Sequence, residues 1–211
     1  MEAATLISFV IYSFVTSVTP GPNNFMLTAS GVNFGFKRSI PHIVGIGFGF
    51  GLMVAMVGFG LGSILIQSPV LLESMRVVGI VYLLYLAWKI ANAGAATGEG
   101  KVERPMGFIN AAVFQWINPK AWIMTMGAIT TYTNSGSHVS TFLLIGLIYG
   151  IISIPSVGVW ALVGERFQTL LNSGRAVAIF NITMGGLLAF STISSMVESY
   201  QFIKPYLVVA I

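Results

Sequence analysis

The sequence contains no cysteine and no aspartate, and only 8% of its 211 residues are charged. Without cysteine, the chain has no disulfide bonds, thiolate metal sites or cysteine nucleophiles. A soluble domain carries about 25% charged residues, and the ten basic and six acidic side chains present here cannot give a chain of this size a mixed charged surface. These absences exclude a soluble globular domain, a disordered chain and a nucleic-acid-binding module, and we expect neither a cofactor nor a metal.

Apolar residues dominate the chain, since 55% are hydrophobic and the mean hydropathy is +0.87. The charges are clustered, and the stretches between them reach the length of about 20 residues that a helix needs to cross a bilayer. The apolar runs do not alternate with polar residues as the strands of a membrane barrel do. We therefore predict an all-α polytopic membrane protein with six transmembrane helices. The predicted spans are residues 3–30, 40–66, 69–93, 108–132, 140–163 and 176–197.

The basic residues are distributed unevenly between the two ends of these spans. The larger group consists of Lys37, Arg38, Lys89, Lys101, Arg104, Arg166 and Arg175, and the smaller group consists of Arg76 and Lys204. Cytoplasmic loops carry the excess of lysine and arginine. The bias therefore places the larger group in the cytoplasm and predicts that both termini lie on the other side of the membrane.

The six spans form a single transmembrane domain, residues 1–211, that divides into two halves. A first half of three spans (3–93) is joined by a cytoplasmic linker (94–107) to a second half of three spans (108–197). A tail (198–211) is too short for a seventh crossing and is expected to lie along the lipid headgroups. Because each half contains three spans, the second half enters the membrane in the opposite direction to the first. A proline-centred break occurs in the first span of each half. We therefore predict a 3+3 inverted repeat with broken helices 1 and 4.

The first break is the segment 19–24, Thr-Pro-Gly-Pro-Asn-Asn, late in span one. Its two prolines lack N–H donors and clash with the preceding turn, so the helix must bend or stop. The backbone groups that are released there need polar partners, and lipid offers none. The threonine and asparagine side chains of the segment, together with water or substrate, are the expected partners.

The second break is Asn118-Pro119, in the middle of span four. Asparagine is a favoured N-cap and proline a favoured first helical residue, so a helix is expected to start here with its positive dipole end inside the membrane. Lys120 follows, about 12 residues or roughly 18 Å from either end of the span. A lysine at that depth costs about 2.5–3.5 kcal/mol, so we expect it to face a polar cavity.

Together the two breaks predict one binding site of positive character. No acidic residue lies in the middle of a span, since Glu73, Glu165 and Glu198 are near span ends. Such a site favours an anionic group, and the carboxylate of a small neutral amino acid fits it, whereas a cationic side chain is disfavoured. The predicted substrate-binding residues are Thr19, Pro20, Gly21, Pro22, Asn23, Asn24, Trp116, Asn118, Lys120 and Asn181. In this set, Trp116 is expected to offer its aromatic face to the substrate ammonium. Asn181 either lines the transport pathway or joins helices.

The glycine spacings and the two histidines are the remaining features of the predicted spans. Span two contains small-xxx-small spacings such as Gly47–Gly51, which indicate close helix packing within one chain or between two. The glycines of span five and Gly185-Gly186 in span six have the same interpretation. His42 and His138 each begin a predicted span, where we expect a structural role at the level of the headgroups.

Several of these motifs resemble the LysE/RhtB-type amino-acid exporter family, over nearly the whole chain. They are residues 19–23 (Thr-Pro-Gly-Pro-Asn), Gly35-Phe36 before basic residues, the glycine-rich second span, residues 82–89 (Tyr-Leu-Leu-Tyr-Leu-Ala-Trp-Lys) and residues 118–121 (Asn-Pro-Lys-Ala). The resemblance implies a six-helix, dimeric exporter of the bacterial inner membrane, driven by the proton motive force and most similar to the cysteine/O-acetylserine and neutral amino-acid exporters. With the charge bias, this makes both termini periplasmic. Many members carry aspartate where this chain has Asn23. Coupling would then need Lys120 or His42, or transport could be uncoupled.

The predicted function is a secondary transporter that exports small neutral amino acids or their derivatives, of the cysteine/O-acetylserine or homoserine/threonine class. A passive channel for small solutes is the alternative, and saturable counterflow would distinguish the two. An enzyme is not expected, because the spans lack the groups that acid–base or metal chemistry needs. The expected partners are an amino-acid substrate, the lipid bilayer and a second copy of the chain, and not nucleic acid.

Overall fold

The computed structural model describes residues 2–93, 104–134, 136–171 and 173–209. Every regular element in those ranges is a helix, which confirms the all-α prediction. The first half contains α1 (Ala3–Val18), α2 (Pro22–Phe34), α3 (Phe36–Met56), a π-helical turn (Val57–Leu61), α4 (Gly62–Ile66) and α5 (Pro69–Ala91). The second half contains α6 (Phe108–Phe114), a 3-10 turn (Gln115–Ile117), α7 (Pro119–Tyr132), α8 (Val139–Leu170), α9 (Gly174–Phe190) and α10 (Ile193–Val209). Within the predicted linker, residues 94–103 lie outside the described residues.

The first predicted span is broken at its proline segment. α1 ends at Val18, α2 begins at Pro22, and the two helices are bent by 58° relative to each other. Pro22 takes the first position of α2, where an N–H would have no intrahelical partner in any case. The predicted break is therefore confirmed, and the second part of the span continues to Phe34, beyond its predicted end at residue 30.

The fourth predicted span is broken at its asparagine-proline pair. α6 and the 3-10 turn lead to Asn118, whose side chain accepts a hydrogen bond from the backbone N–H of Lys120 at 3.1 Å. Pro119 is the first residue of α7. This is the N-cap arrangement that the sequence predicts, and the start of a new helix inside the span is confirmed.

The number of membrane crossings is supported in part. Within the described residues, four helices are long and apolar enough to cross a membrane, and α1 with α2 makes a fifth crossing if the bent pair is one span. The remaining predicted span, the fourth (residues 108–132), consists of pieces that are each shorter than a crossing. The count of six and the inverted repeat therefore remain predictions.

The last two long helices extend further than the sequence predicts. α8 continues to Leu170, past the predicted end of span five at residue 163. α9 and α10 together form an apolar span from Gly174 to Pro205, so the predicted boundary between span six and the tail at residue 197 is not a helix end. Glu198 is accommodated there because Arg76 of α5 lies 3.3 Å from its carboxylate. Helical structure thus continues to Val209, through most of the segment that was expected to lie along the headgroups.

α3 and α8 cross at four glycines. An ideal Cβ on Gly47 would lie 2.9 Å from the carbonyl oxygen of Gly150, and one on Gly51 would lie 2.6 Å from that of Gly146. Neither distance leaves room for a methyl group, so the two backbones are in direct contact. The predicted close packing is confirmed, and it occurs within one chain.

α2 is joined to the same pair by a second set of close contacts. A Cβ on Gly31 of α2 would lie 2.1 Å from the carbonyl oxygen of Ala161 in α8, and one on Gly164 of α8 would lie 2.1 Å from that of Thr28 in α2. We call α2, α3 and α8 the three-helix block. It is the most tightly packed part of the described fold, and α1, α5, α6, α7 and α9 are arranged around it.

The outward faces of the helices are apolar. On α8, for example, Leu143, Leu147 and Ile151 are all exposed and are spaced four residues apart. In water, contiguous exposed apolar surface of this kind would promote aggregation, whereas hydrocarbon is its natural solvent. The exposed faces therefore support the assignment to the membrane.

Adjacent glycines in α9 provide a matched test of the helix packing. A Cβ on Gly185 would lie 2.5 Å from the carbonyl oxygen of Ala87 in α5, whereas one on Gly186 would meet nothing within 4 Å. We expect Gly185→Ala to destabilise the protein by about 1–3 kcal/mol, because α5 and α9 must separate. Gly186→Ala is expected to be neutral or stabilising, because alanine favours the helix. Thermal melting in detergent measures both, and equal melting temperatures for the two variants would contradict the α5–α9 contact.

Candidate functional site

Lys120 extends from α7 to the break between α1 and α2. Its ammonium donates to the carbonyl oxygen of Thr19 at 2.6 Å, to the hydroxyl of Thr19 at 2.9 Å and to the carbonyl oxygen of Pro20 at 3.1 Å. An ammonium has three donors, and each has an acceptor here. The carbonyl groups that the prolines release thus receive a charged donor, and the structure brings the two breaks together.

Gly21 makes room for this lysine. A Cβ at Gly21 would lie 2.6 Å from Cδ of Lys120 and 3.1 Å from its Nζ. The backbone at Gly21 is extended, with φ at 173°, so a larger residue would be excluded by the lysine side chain and not by the backbone conformation.

Asn24 binds the other side of the same break. Its Nδ2 donates to the carbonyl oxygens of Ser17 at 3.0 Å and Thr19 at 2.6 Å. The Thr19 carbonyl therefore accepts from both Asn24 and Lys120, which uses both of its lone pairs. Asn24 is buried, and its Oδ1 has no hydrogen-bond partner among the described residues.

Asn23 joins the first break to the second through a residue that the sequence reasoning missed. Its Nδ2 donates to Oε1 of Gln115 at 2.9 Å, and Nε2 of Gln115 donates back to Oδ1 of Asn23 at 3.3 Å. Gln115 is fully buried in the 3-10 turn that precedes Asn118. Its polar amide in the middle of a predicted span was the signal that could have identified it.

A small cavity lies directly at the meeting point of the breaks, and we call it the break cavity. Its volume is about 20 Å³, and its lining includes Ser17, Asn23, Asn24, Gln115 and Lys120. This space accommodates about one water molecule. In this conformation the break cavity is therefore too small for an amino acid.

A larger cavity lies on the other side of Lys120, and we call it the lysine cavity. Its volume is about 200 Å³, and its lining includes Lys120, Trp116, Trp122, Arg76 and Glu198. The rings of Trp116 and Trp122 meet edge to face with centroids 6.2 Å apart. Trp116 and Lys120, two of the predicted binding residues, thus line the same cavity. Their roles in substrate binding stay predictions.

The expectation that no carboxylate shares this site is wrong. Glu198 lines the lysine cavity because α10 continues past the predicted end of span six. Its carboxylate is paired with Arg76 at 3.3 Å, and Arg76 also contacts Glu73 at 2.7 Å. The described lining of the cavity itself still contains two cations, Lys120 and Arg76, against one carboxylate.

A third cavity lies at the opposite end of α5, and we call it the basic-end cavity. Its volume is about 310 Å³, and its lining includes His42, Lys89, Arg104, Asn33 and Asn110. His42 is buried, with only 2% of its surface exposed, and it lies in the second turn of α3. Asn33 of α2 and Asn110 of α6 line the same cavity. The expected position of His42 at the level of the lipid headgroups stays a prediction.

An apolar layer separates the basic-end cavity from the lysine cavity. Met26 and Leu86 line the basic-end cavity, and Leu83 lines the lysine cavity. All three belong to one buried cluster with Phe114. The two cavities share no lining residue. The structure therefore has two cavities at successive positions along α5, closed off from each other by packed side chains.

Asn181 is not part of the group at the breaks. Asn33 and Asn181 exchange hydrogen bonds of 2.8 and 3.1 Å, and Nδ2 of Asn181 also donates to the carbonyl oxygen of Ala93 at 2.6 Å. These bonds join α2, the end of α5 and α9. Of the two roles that the sequence left open for Asn181, the joining of helices is the one that its contacts support.

The fold and these cavities define a polytopic helical membrane protein with the features of a transport protein. The chain belongs to the LysE type translocator family, whose pattern matches residues 14–198. No solved structure showed significant similarity to it. Among the described residues, no cluster of histidine and acidic side chains is suited to hold a metal ion.

Several similar proteins carry a functional name. The chain is 29% identical over 196 residues to the cysteine/O-acetylserine efflux protein of Salmonella typhimurium (strain LT2), covering 92% of this chain and 98% of the relative. It is 32% identical over 200 residues to the protein of the same name from Klebsiella pneumoniae subsp. pneumoniae, with the same coverage. The protein of that name from Escherichia coli (strain K12) is 27% identical over 196 residues, again covering 92% and 98%.

The hydrogen-bonded amides of Asn33 and Asn181 allow a test of whether Asn181 joins helices or binds substrate. We expect Asn181→Ala to destabilise the protein by about 0.6–2 kcal/mol, the value of a hydrogen bond between membrane helices. The concentration of substrate that half-saturates transport should not change. Asn92→Ala is the control, since Asn92 is exposed at the end of α5. Thermal melting and transport in vesicles measure the two quantities, and a raised half-saturating concentration with unchanged melting would contradict the structural role.

Proposed function

We propose that this protein exports small neutral amino acids or their derivatives across the bacterial inner membrane, in the cysteine/O-acetylserine or homoserine/threonine class. The observation that carries the proposal is the position of the Lys120 ammonium, which binds the first helix break and lines a cavity of about 200 Å³. The names of the similar proteins support the substrate class.

The lysine and the break carbonyls together complement a zwitterion. The longest of the three bonds made by the ammonium is the one to Pro20, at 3.1 Å. If a substrate carboxylate takes that donor, the Pro20 carbonyl oxygen becomes free to accept from the substrate ammonium. After the exchange, Lys120 and the Pro20 carbonyl each still have a hydrogen-bond partner in place of the bond between them. The opposite charges lie adjacent, and their attraction is stronger in the low dielectric of the site. Trp116 offers its ring to the same ammonium.

The charges of the lysine cavity disfavour a cationic substrate side chain. Glu198 is the only carboxylate among the described lining residues, and Arg76 is paired with it. A lysine or arginine side chain of a substrate would have to displace Arg76 or remain unpaired near Lys120. Both alternatives are costly away from bulk water, so neutral amino acids are the proposed substrates.

The separation of the two larger cavities favours a carrier over a passive channel. The buried cluster that contains Met26, Leu83 and Phe114 lies between them. A carrier exposes its site to one side at a time, and two cavities on either side of such a packed layer suit that cycle. We propose that the proton motive force drives it, with Lys120 as the titratable group at the breaks, since Asn23 cannot release a proton.

The proposed orientation places the basic-end cavity on the cytoplasmic side. The described lysines and arginines at the ends of α2, α5 and α8 belong to the larger basic group, which favours the cytoplasm. Both termini are then periplasmic. A 3+3 inverted repeat is supported by the breaks in the first span of each half and by the reciprocal glycine contacts of α3 with α8. Association into a homodimer remains a prediction from the family resemblance.

Removal of the Lys120 charge tests the site directly. We expect Lys120→Met to lower amino-acid efflux by at least about 100-fold, because the charge-assisted bonds to substrate and to the break are lost. Lys204→Met is the matched control, since Lys204 is exposed on α10. Efflux of labelled amino acids from proteoliposomes measures both, with insertion confirmed by protease protection. Efflux at the wild-type rate from correctly inserted Lys120→Met protein would contradict the proposed site.

Introduction of a carboxyl group at position 23 tests whether the paired amides are close to the transport step. Asn23→Asp is neutral below the pKa of the new carboxyl group and negative above it. The negative form repels a substrate carboxylate near Lys120, so efflux should fall by about tenfold as the pH rises through that pKa, the effect of roughly 1.4 kcal/mol. Asn23→Ser is the control without a titratable group. A pH profile of efflux that is the same for both variants would place this position away from transport.

A further inference from the structure

His42 is a buried polar side chain that the proposed transport step at Lys120 does not use. It is 2% exposed, and within the described chain neither of its ring nitrogens has a hydrogen-bond partner. A buried polar group without a partner is costly, and native structures contain few of them. The residue lines the basic-end cavity, so a ligand in that cavity is the available partner.

The charged residues around His42 indicate the chemistry of such a ligand. Arg104 and Lys89 line the same cavity, and no acidic side chain lies among its described lining residues. Arg104 is exposed in the described part of the linker, and its planar guanidinium matches a carboxylate with two parallel bonds. The amide of Asn110 adds a neutral donor and acceptor. The cavity is therefore suited to a small anion-bearing polar molecule.

The size and position of the cavity agree with the proposed substrate. Its volume of about 310 Å³ exceeds that of the lysine cavity, and it lies across the apolar layer of Met26, Leu83 and Phe114. A molecule bound there would be on the side of the layer from which export begins in the proposed orientation.

We propose that the basic-end cavity is a second amino-acid-binding site, separate from Lys120, in which Arg104 and Lys89 bind the substrate carboxylate and His42 binds its ammonium. This inference rests on the proposed export function and adds an entry site to it. A neutral imidazole has one acceptor nitrogen for the ammonium. The substrate would occupy this site before it crosses the apolar layer to the lysine cavity.

The experiment measures equilibrium binding of labelled L-cysteine to the full chain in lipid nanodiscs, with reductant present. The chain has no cysteine of its own, so disulfide exchange with the protein does not occur. Arg104→Gln and His42→Leu are each expected to raise the Kd by about tenfold, the value of one charge-assisted or buried hydrogen bond. Arg175→Gln is the matched control, because Arg175 is exposed and lines none of the three cavities described above. Lys120→Met should lose transport and retain binding.

Two analogues test the chemistry of recognition in the same assay. 3-Mercaptopropionate keeps the carboxylate and should displace cysteine, whereas cysteamine keeps the ammonium and thiol and should not. Wild-type Kd values for both Arg104→Gln and His42→Leu, or loss of all binding in Lys120→Met, would overturn the second site while leaving export intact. Transport of cysteine in proteoliposomes is measured in parallel. Absence of both binding and transport in the wild type would overturn the proposed function and this inference together.

Discussion

The hydrogen bonds between the Lys120 ammonium and the carbonyl oxygens of the first helix break organise the centre of this protein. An ammonium group and released carbonyl groups are each costly in hydrocarbon. Placed 2.6 to 3.1 Å apart, they satisfy each other. The carbonyl groups at the proline break therefore need the lysine as a hydrogen-bond donor, and the lysine ammonium needs those carbonyl groups as acceptors. Gly21, which has no side chain, permits the contact, and Asn24 completes the set of donors.

The rest of the fold divides into a tightly packed part and a part that contains the cavities. In the three-helix block of α2, α3 and α8, glycines bring the backbones into direct contact. The lysine cavity and the basic-end cavity both lie along α5, which packs on α9 and faces the broken α6–α7 segment. Packed interiors change between discrete arrangements and do not deform continuously. The block is suited to remain fixed while α5 and its neighbours rearrange around a bound substrate.

The features that the sequence predicts well are those that local chemistry determines. Prolines at 20, 22 and 119 define the breaks, Asn118 defines a helix start, and a lysine about 12 residues from either end of its span must find polar groups. Glycine spacing also predicts close helix packing, although the pairing of α3 with α8 is known only from the structure. Each of these features is determined by residues that lie close together in one short segment of the chain.

The features that the sequence does not predict depend on contacts between distant segments. The pairing of Gln115 with Asn23 cannot be predicted, because the two residues are 92 positions apart in the chain. Glu198 was assigned to the tail because its charge ends the apolar run, but Arg76 pairs with it and the helix continues. The burial of His42 depends on the residues of α2, α5 and α6 that line the same cavity. Each of these features depends on a tertiary partner or a helix boundary that the sequence does not reveal.

Chemical replacement of the lysine ammonium tests the central interaction most directly. The chain has no native cysteine, so Lys120→Cys creates a single thiol. Alkylation with 2-bromoethylamine gives a side chain of lysine length that ends in an ammonium, and 2-bromoethanol gives one of the same length that ends in a neutral hydroxyl. If the ammonium at this position is what binds the break and the substrate, the aminoethylated protein should export amino acids at least about tenfold faster than the hydroxyethylated protein. Equal export by the two fully alkylated proteins would contradict that claim.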